Sequence, residues 1–312
     1  MTICQFRQAF IRLLILAGIF FAGDRFLAWG FGRLILSSKA RYSVLYGSRE
    51  RADLVVLGNS RGVNGFYAPS IERSTHLHTV NLSYNGLSMV LSEALLRDWV
   101  DRHGKPEILI LEITNLADDS DVIEGLAPYW CFSERLGSIA DAEKPFTRRV
   151  LLLSHLFAYN GEMFLRILSS LYRSDQDWIN HYAITPAIIK KTKELEQIDF
   201  RTSKENLAAL CRLVTFAKEN GIQVRLVVTP YLPDYMVHVR NYSQWIAHIE
   251  QTTGLRVWDF AGADTNVNHF ADRLHLNDSG AVPLITKMKT DGVFKLLQEY
   301  STAHRGQDHN GF

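Results

Sequence analysis

The sequence predicts an α/β protein with a flavodoxin-like, doubly wound parallel sheet of about five strands. Short apolar runs alternate with longer amphipathic segments from Asp53 onward, with one interruption over residues 116–200. This alternation indicates parallel strands whose connecting helices cover both faces of the sheet. Right-handed crossovers then favour the strand order 2-1-3-4-5. The 312 residues are enough to bury one large core.

Five short runs rich in Val, Ile and Leu are bounded by turn residues or charges, which is typical of buried strands. The predicted strands are Asp53–Leu57, His78–Leu82, Glu107–Thr114, Ile222–Thr229 and Leu255–Phe260.

Apolar residues at helical spacing predict the intervening helices, and glycines close three of them. Gly104, Gly221 and Gly254 are these terminators. The predicted helices are Met89–Arg102, Lys204–Asn220, Tyr235–Thr253 and Ser279–Tyr300.

Residues 116–200 do not follow this rhythm and are predicted to form a helical insertion within an α/β domain of residues 51–300. The insertion contains a long apolar helix at about 148–173 and the aromatic residues Tyr129, Trp130 and Phe132. Those rings can stack on sugars or pack in a core, and the apolar helix can line an acyl groove or pack on the sheet. Residues 301–312 are a polar tail.

Residues 1–50 contain an apolar run at 9–23 that ends at Asp24 and Arg25. The uninterrupted part is shorter than the ~20 residues of a spanning helix, although a helix that begins near Phe6 is long enough. Three interpretations follow: an uncleaved membrane anchor, a signal peptide and a buried core helix. The absence of a small-x-small cleavage pattern favours the anchor. The following segment, residues 26–36, is predicted to be a juxtamembrane amphipathic helix.

The charge and the cysteines exclude several classes of protein. Lys and Arg number 34 against 33 Asp and Glu, a net charge of +1, so no global field attracts nucleic acid. Cys4, Cys131 and Cys211 are too few for a disulfide framework and have no zinc-site spacing. Pairing of Cys131 with Cys211 and free thiols both remain open. No metal or cofactor is predicted.

The residues that follow the strands form a chemically consistent set, because ligands bind at the carboxyl ends of parallel strands. Ser60 follows the first strand, and Asp272 and His275 follow the last. A serine hydroxyl needs a base to become nucleophilic, and His275 can supply it. Asp272 can accept the other imidazole N–H and fix the tautomer.

The same strand ends supply candidates for oxyanion stabilisation and for substrate binding. The N–H groups of Ser60 and Gly86 and the side chain of Asn115 are the predicted oxyanion donors. Arg61 and Arg273 flank the predicted nucleophile and base. Each can hold an anionic or hydroxyl-rich substrate, or form a structural ion pair with a carboxylate.

These residues resemble the four sequence blocks of the SGNH/GDSL hydrolase superfamily, and more narrowly its membrane-anchored bacterial cell-envelope branch. The matching motifs are Asp-Leu-Val-Val-Leu-Gly-Asn-Ser-Arg-Gly, Asn-Leu-Ser-Tyr-Asn-Gly, Asn115, and Asp-Arg-Leu-His at 272–275. The resemblance covers roughly residues 53–115 and 204–300. Asn59 stands where the family usually has Asp, and residues 112–116 depart from the family's Gly-x-Asn-Asp block.

The resemblance implies a serine esterase or O-acyltransferase, with acetyl as the expected acyl group, that acts on a cell-envelope or exported polysaccharide. It implies Ser60, His275 and Asp272 as the triad, with oxyanion donors at Gly86 and Asn115. It also implies a single-pass anchor in the bacterial inner membrane, a periplasmic catalytic domain, and a membrane-bound acyl-donor transporter as partner. Two alternatives stay open: a non-catalytic glycan-binding or assembly subunit, and a soluble lipid esterase whose N-terminal helix packs in the core.

Overall fold

The computed structural model describes residues 3–117 and 122–296 and contains the predicted parallel sheet. The strands are β1 (Leu54–Leu57), β2 (Thr79–Asn81), β3 (Ile108–Glu112), β4 (Gln223–Val228) and β5 (Val257–Asp259). All of them run parallel in the order β2-β1-β3-β4-β5, which confirms the predicted topology. In the register, Val55 of β1 lies opposite Val80 on one side and Leu109 on the other.

The helices cover the sheet and build the insertion. They are α1 (Ile3–Ser37), α2 (Arg41–Gly47), α3 (Ser60–Gly65), α4 (Ala68–Thr75), α5 (Met89–His103), α6 (Val122–Gly125), α7 (Glu134–Glu143), α8 (Pro145–Leu153), α9 (Glu162–Ser169), α10 (Pro186–Lys193), α11 (Lys204–Glu219), α12 (Pro233–Met236), α13 (Tyr242–Thr253) and α14 (Asp278–Asp291). Short 3₁₀ helices occupy Ile113–Ala117, Ala127–Phe132, His155–Tyr159, Asp175–Asp177 and Val267–His269.

Two apolar cores lie on the two faces of the sheet, because successive strand residues point to opposite sides. In β1, Leu54 and Val56 belong to the core beneath α4 and α14. Val55 and Leu57 belong to the larger core beneath α2, α5 and α11. Every residue of β1 and β3 is buried, as expected for strands covered on both faces.

The N-terminal helix α1 is continuous over 35 residues, and only its last third packs on the domain. Ala28, Gly32 and Ile35 are buried there, a spacing that places them on one face of the helix. Residues 26–36 therefore continue the same helix and dock on the protein, so the prediction of a separate juxtamembrane helix was wrong. Residues 3–22 are exposed.

The predicted membrane-spanning helix is not found. Within residues 3–117 and 122–296, no helix has both the length and the apolar character needed to cross a bilayer.

The long helix predicted at about 148–173 is divided into α8 and α9, with a 3₁₀ helix between them. Two residues of α1 hold the break in place. The Arg25 guanidinium donates to the carbonyl oxygens of Leu152 and Leu153, each at 2.9 Å, and so binds the last carbonyls of α8. The Asp24 carboxylate accepts from the His155 N–H at 2.8 Å, at the first turn of the 3₁₀ helix. A helix end stabilised from outside on both sides does not need to continue.

The aromatic residues of the insertion belong to the larger core, which also contains Val55 and Leu57. Tyr129 and Trp130 are buried, and the indole Nε1–H of Trp130 donates to the Ile123 carbonyl at 3.0 Å. Phe132 is partly buried. Of the two alternatives that the sequence left open for these rings, stacking on sugars and packing in a core, the structure shows packing in a core. Tyr129 and Trp130 are too buried to stack on a sugar.

A helix predicted over Tyr235–Thr253 is interrupted after α12. The end of the insertion pairs with the residues after α12 through two backbone hydrogen bonds. Ile198 N–H donates to His238 O at 2.8 Å, and Arg240 N–H donates to Ile198 O at 3.0 Å. These bonds need extended backbone, so the helix resumes only at Tyr242.

The last helix and the cysteines complete the comparison with the sequence. Helix α14 ends at Asp291, where Gly292 adopts φ +91° as its C-cap, earlier than predicted. The predicted end at Tyr300 and the tail at 301–312 lie outside the described residues. The three cysteines are free thiols, so Cys131 and Cys211 are not paired in this structure.

Candidate active site

Ser60 lies at the first position of α3, directly after the turn that follows β1. Asn59 caps the helix, since its Oδ1 accepts from the Arg61 N–H at 2.9 Å. Gly58 makes the turn possible: a Cβ at this position would lie 2.6 Å from the Cβ of Glu112 on the neighbouring strand. The sharp strand-to-helix turn therefore presents the Ser60 hydroxyl at the carboxyl edge of the sheet.

Asp272 and His275 share one tight turn in the loop after β5. The Ala271 N–H donates to the His275 carbonyl at 2.9 Å. Asp272 Oδ1 accepts from the backbone N–H groups of Leu274 at 2.7 Å and His275 at 3.0 Å. These two backbone hydrogen bonds hold the carboxylate next to the imidazole ring. An aspartate only three residues before the histidine can therefore reach its Nδ1 atom.

The structure brings the three predicted triad residues together. Ser60 Oγ lies 2.7 Å from His275 Nε2. His275 Nδ1 lies 2.8 Å from Asp272 Oδ2. All three side chains are partly exposed. These distances and this order match the serine, base and orienting acid of a nucleophilic site.

The environment of Asp272 favours its ionised form. Partial burial by itself raises the pKa of this carboxyl group, but the hydrogen bond and charge of His275, together with the two backbone N–H groups, lower the pKa below its ordinary value of 3.8. An ionised Asp272 holds the proton of the imidazole on Nδ1 and leaves Nε2 free to accept from Ser60.

The backbone N–H groups of Ser60 and Gly86 have no hydrogen-bond partner among the described residues. Tyr84 N–H donates to Gly58 O at 3.0 Å, which brings the turn with Gly86 next to the nucleophile's own turn. Gly86 has φ +72°, a conformation that glycine adopts without strain. The N–H groups of Ser60 and Gly86 are both available to a developing oxyanion.

Asn115, the third predicted oxyanion donor, does not fit that role. It lies in the 3₁₀ helix after β3 and is fully buried. Its Nδ2–H donates to the Leu87 carbonyl at 2.8 Å. The side chain thus supports the turn that contains Gly86, and with no exposed surface it does not reach a substrate.

Arg61 is also placed differently from the prediction of a substrate-binding residue. Its side chain is only 4% exposed and it is fully occupied by the protein. The guanidinium donates to the carbonyl oxygens of Leu274, Thr229 and Pro230 and stacks on the ring of Tyr231. The structure supports the ion-pair alternative for this arginine, not substrate binding.

The partner of Arg61 is Glu112, a carboxylate at the end of β3 with no exposed surface. Arg61 Nε lies 3.3 Å from Glu112 Oε1. The other oxygen, Oε2, accepts from the Thr114 hydroxyl at 2.6 Å. The pair therefore joins the nucleophile's helix to β3 while Arg61 reaches the loops after β4 and β5.

Arg273, by contrast, is a cation at the site that stays unpaired among the described residues. It is partly exposed, and its guanidinium makes no hydrogen bond or ion pair with any described residue. It lies close enough to Tyr235 that its charge lowers the pKa of that phenol, against the larger effect of burial, which raises it. An incoming substrate can therefore reach this guanidinium.

Sequence reasoning missed two polar residues that hold the site together. Both lie within predicted strands, Asn81 in His78–Leu82 and Glu112 in Glu107–Thr114. Asn81 Nδ2–H donates to the carbonyls of Gly62 at 3.0 Å and Phe66 at 2.7 Å, which fixes the end of α3. Burying a carboxylate or an amide within an apolar strand costs free energy unless the group has hydrogen-bond or ion-pair partners. The presence of Glu112 and Asn81 in apolar strand runs was therefore the sequence signal for these contacts.

Comparison with known proteins gives only distant likenesses. No family model matches the chain, and no curated protein matches it. Similar solved structures include a proposed acylhydrolase from Bacteroides fragilis (12% identity, 81% of this chain, 94% of that chain, TM-score 0.40). A GDSL-like lipase from Bacteroides thetaiotaomicron has 11% identity over 80% and 90% of the two chains, with a TM-score of 0.37. A proposed G-D-S-L lipolytic protein from Desulfitobacterium hafniense has 12% identity over 76% and 97%, with a TM-score of 0.35. Likenesses this distant carry no inference about the activity.

Removing the charge of Glu112 tests the buried ion pair. We expect Glu112→Gln to lower the free energy of unfolding by about 3–5 kcal/mol, because it leaves the Arg61 cation buried without its counter-ion. Chemical denaturation measures this quantity. The matched control is Asp291→Asn, which breaks the exposed pair with Lys287 and should cost less than about 1 kcal/mol. Equal effects of the two substitutions would contradict the structural role of the buried pair.

The pKa of Asp272 gives a pH-dependent prediction. Because its folded pKa is depressed, the ionised carboxylate stabilises the fold above 3.8, and this stabilisation is lost as the pH falls from 3.8 through the lower folded value. We expect the difference in unfolding free energy between wild type and Asp272→Asn to shrink over that interval. Denaturation at pH 7, 4 and 3 measures it. A difference that grows below pH 4 would rule out the depressed pKa.

Proposed function

We propose that this protein is a serine esterase or O-acyltransferase that forms an acyl-enzyme on Ser60. The observation that carries the proposal is the chain of hydrogen bonds from Ser60 Oγ to His275 Nε2, at 2.7 Å, and from His275 Nδ1 to Asp272, at 2.8 Å. The two open N–H groups of Ser60 and Gly86 support it, because acyl transfer needs donors for a developing oxyanion.

In the first half-reaction, Ser60 Oγ attacks the carbonyl carbon of the ester while His275 Nε2 accepts the hydroxyl proton. The carbonyl oxygen becomes an oxyanion that accepts hydrogen bonds from the Ser60 and Gly86 N–H groups. Asp272 stabilises the imidazolium that forms. As the tetrahedral intermediate collapses, His275 Nε2–H protonates the departing alcohol oxygen, which leaves the acyl group on Ser60.

In the second half-reaction, an acceptor hydroxyl attacks the acyl carbon while His275 Nε2 takes its proton. The bond between the acyl carbon and Ser60 Oγ then breaks, and His275 Nε2–H returns the proton to Ser60 Oγ. Water as acceptor gives hydrolysis, and a sugar hydroxyl gives transfer. Both outcomes use the same residues, so the acceptor decides the reaction. We favour acetyl as the acyl group, as the sequence resemblance implies.

We further propose that the substrate is a cell-envelope or exported polysaccharide and that the enzyme works outside the cytoplasm. The sequence resemblance to the bacterial envelope branch supports this, and so does the free guanidinium of Arg273, which suits a hydroxyl-rich or anionic sugar. Cell fractionation with an antibody to the chain tests the compartment. Recovery of the protein only with cytoplasmic markers would contradict it.

Labelling with a fluorophosphonate tests whether Ser60 is an activated nucleophile. We expect wild type to label and Ser60→Ala not to label, with ester hydrolysis reduced by about 10³-fold or more. Released acetate and acetylated oligosaccharide, measured together, show which acceptor is used.

The matched control is Ser138→Ala, an exposed serine that donates only to Glu134 O. It should label like wild type. Thermal unfolding verifies that both variants are folded. Labelling that persists in folded Ser60→Ala would contradict the assignment. Folded wild type that binds glycan but neither labels nor turns over esters would favour the non-catalytic subunit instead.

Arg273→Gln tests substrate binding apart from catalysis. Because the guanidinium has no described protein partner, its loss should leave stability and kcat nearly unchanged and raise KM for an anionic glycan ester about tenfold. Steady-state kinetics measure the split. The control is Arg256→Gln. Arg256 is exposed and directly precedes β5, at the end of the strand away from the site, so its substitution should leave KM unchanged. A loss of stability in Arg273→Gln, with no change in KM, would exclude the binding role.

A further inference from the structure

A second cavity lies away from the triad, between the packed end of α1 and the insertion. It encloses about 490 Å³. Ligand pockets fall in the range of roughly 300–1,000 Å³. Its wall contains neither Ser60, Asp272 nor His275. The large apolar and aromatic residues of the wall are Trp29, Leu36, Trp130, Phe132, Leu151, Leu152 and Tyr159.

Gly32 opens the interior of this cavity. It is a buried residue of α1, and a Cβ at its position would lie 3.4 Å from Tyr159 Oη and 3.5 Å from Phe132 Cζ. The helix thus presents bare backbone where a larger side chain would project between two aromatic wall residues. A cavity of about 490 Å³ with large apolar residues in its wall can receive a flexible hydrocarbon chain.

The same wall carries three arginines and no acidic residue: Arg25, Arg33 and Arg148. Arg25 is paired with Asp24 at 2.9 Å, and Arg148 Nε donates to Asp141 at 2.7 Å. Among the described residues, the Arg33 guanidinium has no partner. The cavity therefore combines an apolar chamber with uncompensated positive charge.

Large apolar side chains of both walls also face outward at the cavity. Trp29 of α1 is 65% exposed and Leu152 of α8 is 73% exposed. An apolar rim around a cationic, apolar chamber is complementary to a molecule with a hydrocarbon chain and an anionic head.

We propose that this cavity binds a phospholipid with an anionic headgroup. One acyl chain occupies the chamber lined by Trp130, Phe132 and Tyr159, and the phosphodiester lies against Arg33, the wall arginine that has no partner among the described residues. Guanidinium groups match phosphate oxygens with paired hydrogen bonds, which favours phosphate over a neutral head. The site uses no triad residue, so it stands whether or not the proposed reaction is correct.

Binding of a soluble phospholipid to the full-length chain tests this site. The probe is phosphatidylglycerol with two six-carbon chains, kept below its critical micelle concentration, and tryptophan fluorescence reports binding because Trp29 and Trp130 line the cavity. We expect affinity about tenfold higher than for phosphatidylcholine with the same chains. Arg33→Gln should remove the preference for phosphatidylglycerol. Arg12→Gln, nearer the N-terminus of the same helix and away from the cavity, should keep it.

A matched pair of glycine variants locates the site on α1. Gly32→Leu fills the cavity and should lose binding at least tenfold, whereas Gly30→Leu projects into open space and should bind like wild type. Thermal unfolding verifies the fold, and Ala158→Phe is the second cavity-filling variant if Gly32→Leu does not fold. Fluorophosphonate labelling of Ser60 should be unchanged in both glycine variants.

Three results would overturn the proposal. They are the absence of phosphatidylglycerol binding by wild type, equal binding by folded wild type and folded cavity-filling variants, and binding of glycerol phosphate as tight as that of the lipid. The last result would assign the cavity to a free phosphate and not to a lipid.

Discussion

The arrangement of the active site depends on one buried cation, the guanidinium of Arg61. The Glu112 carboxylate balances the charge of this guanidinium. The N–H groups of the guanidinium donate to carbonyl oxygens in the loops that follow β4 and β5. A buried charge without such partners would be strongly unfavourable, so the partners and the cation require each other. Because Arg61 is adjacent to Ser60 and one of its acceptors, Leu274, is adjacent to His275, the same interaction sets the distance between the nucleophile and its base. The site is thus held by backbone carbonyls of two separate loops that converge on one side chain.

The insertion supports this arrangement from outside the sheet. Asn180 O accepts from the Asp278 N–H at 2.8 Å, and Ile184 N–H donates to Phe270 O at 2.7 Å, so the insertion holds both sides of the loop with Asp272 and His275. It also closes the edge of the sheet. The side-chain amide of Gln176 accepts from the Asn81 N–H at 2.8 Å and donates to the Asn81 carbonyl at 3.2 Å. An edge strand whose polar groups are paired in this way does not offer a template to another chain.

The sequence predicted the sheet order and the meeting of Ser60, Asp272 and His275, because parallel strands bring their carboxyl ends to one edge and the polar residues after them stand out against apolar runs. It left an ion pair open as one role for Arg61 but did not identify the partners, because Glu112 lies at the end of a strand run and the other acceptors are backbone carbonyls, which any residue can supply. Asn115 was misplaced for a related reason: a position after a strand does not say whether a side chain faces the substrate or the core. The break between α8 and α9 depends on Asp24 and Arg25, more than a hundred residues earlier, and local periodicity carries no trace of such contacts.

The unbroken course of α1 has a mechanical consequence. At 1.5 Å per residue its 35 residues extend about 52 Å, and the exposed part, residues 3–22, accounts for about 30 Å of that length. Ala28, Gly32 and Ile35 fasten the other end to the domain without an intervening loop. A flexible linker would fix only how far the domain can travel from whatever holds its N-terminus. A continuous helix also fixes orientation, so any partner that binds residues 3–22 determines the direction in which the Ser60 site faces.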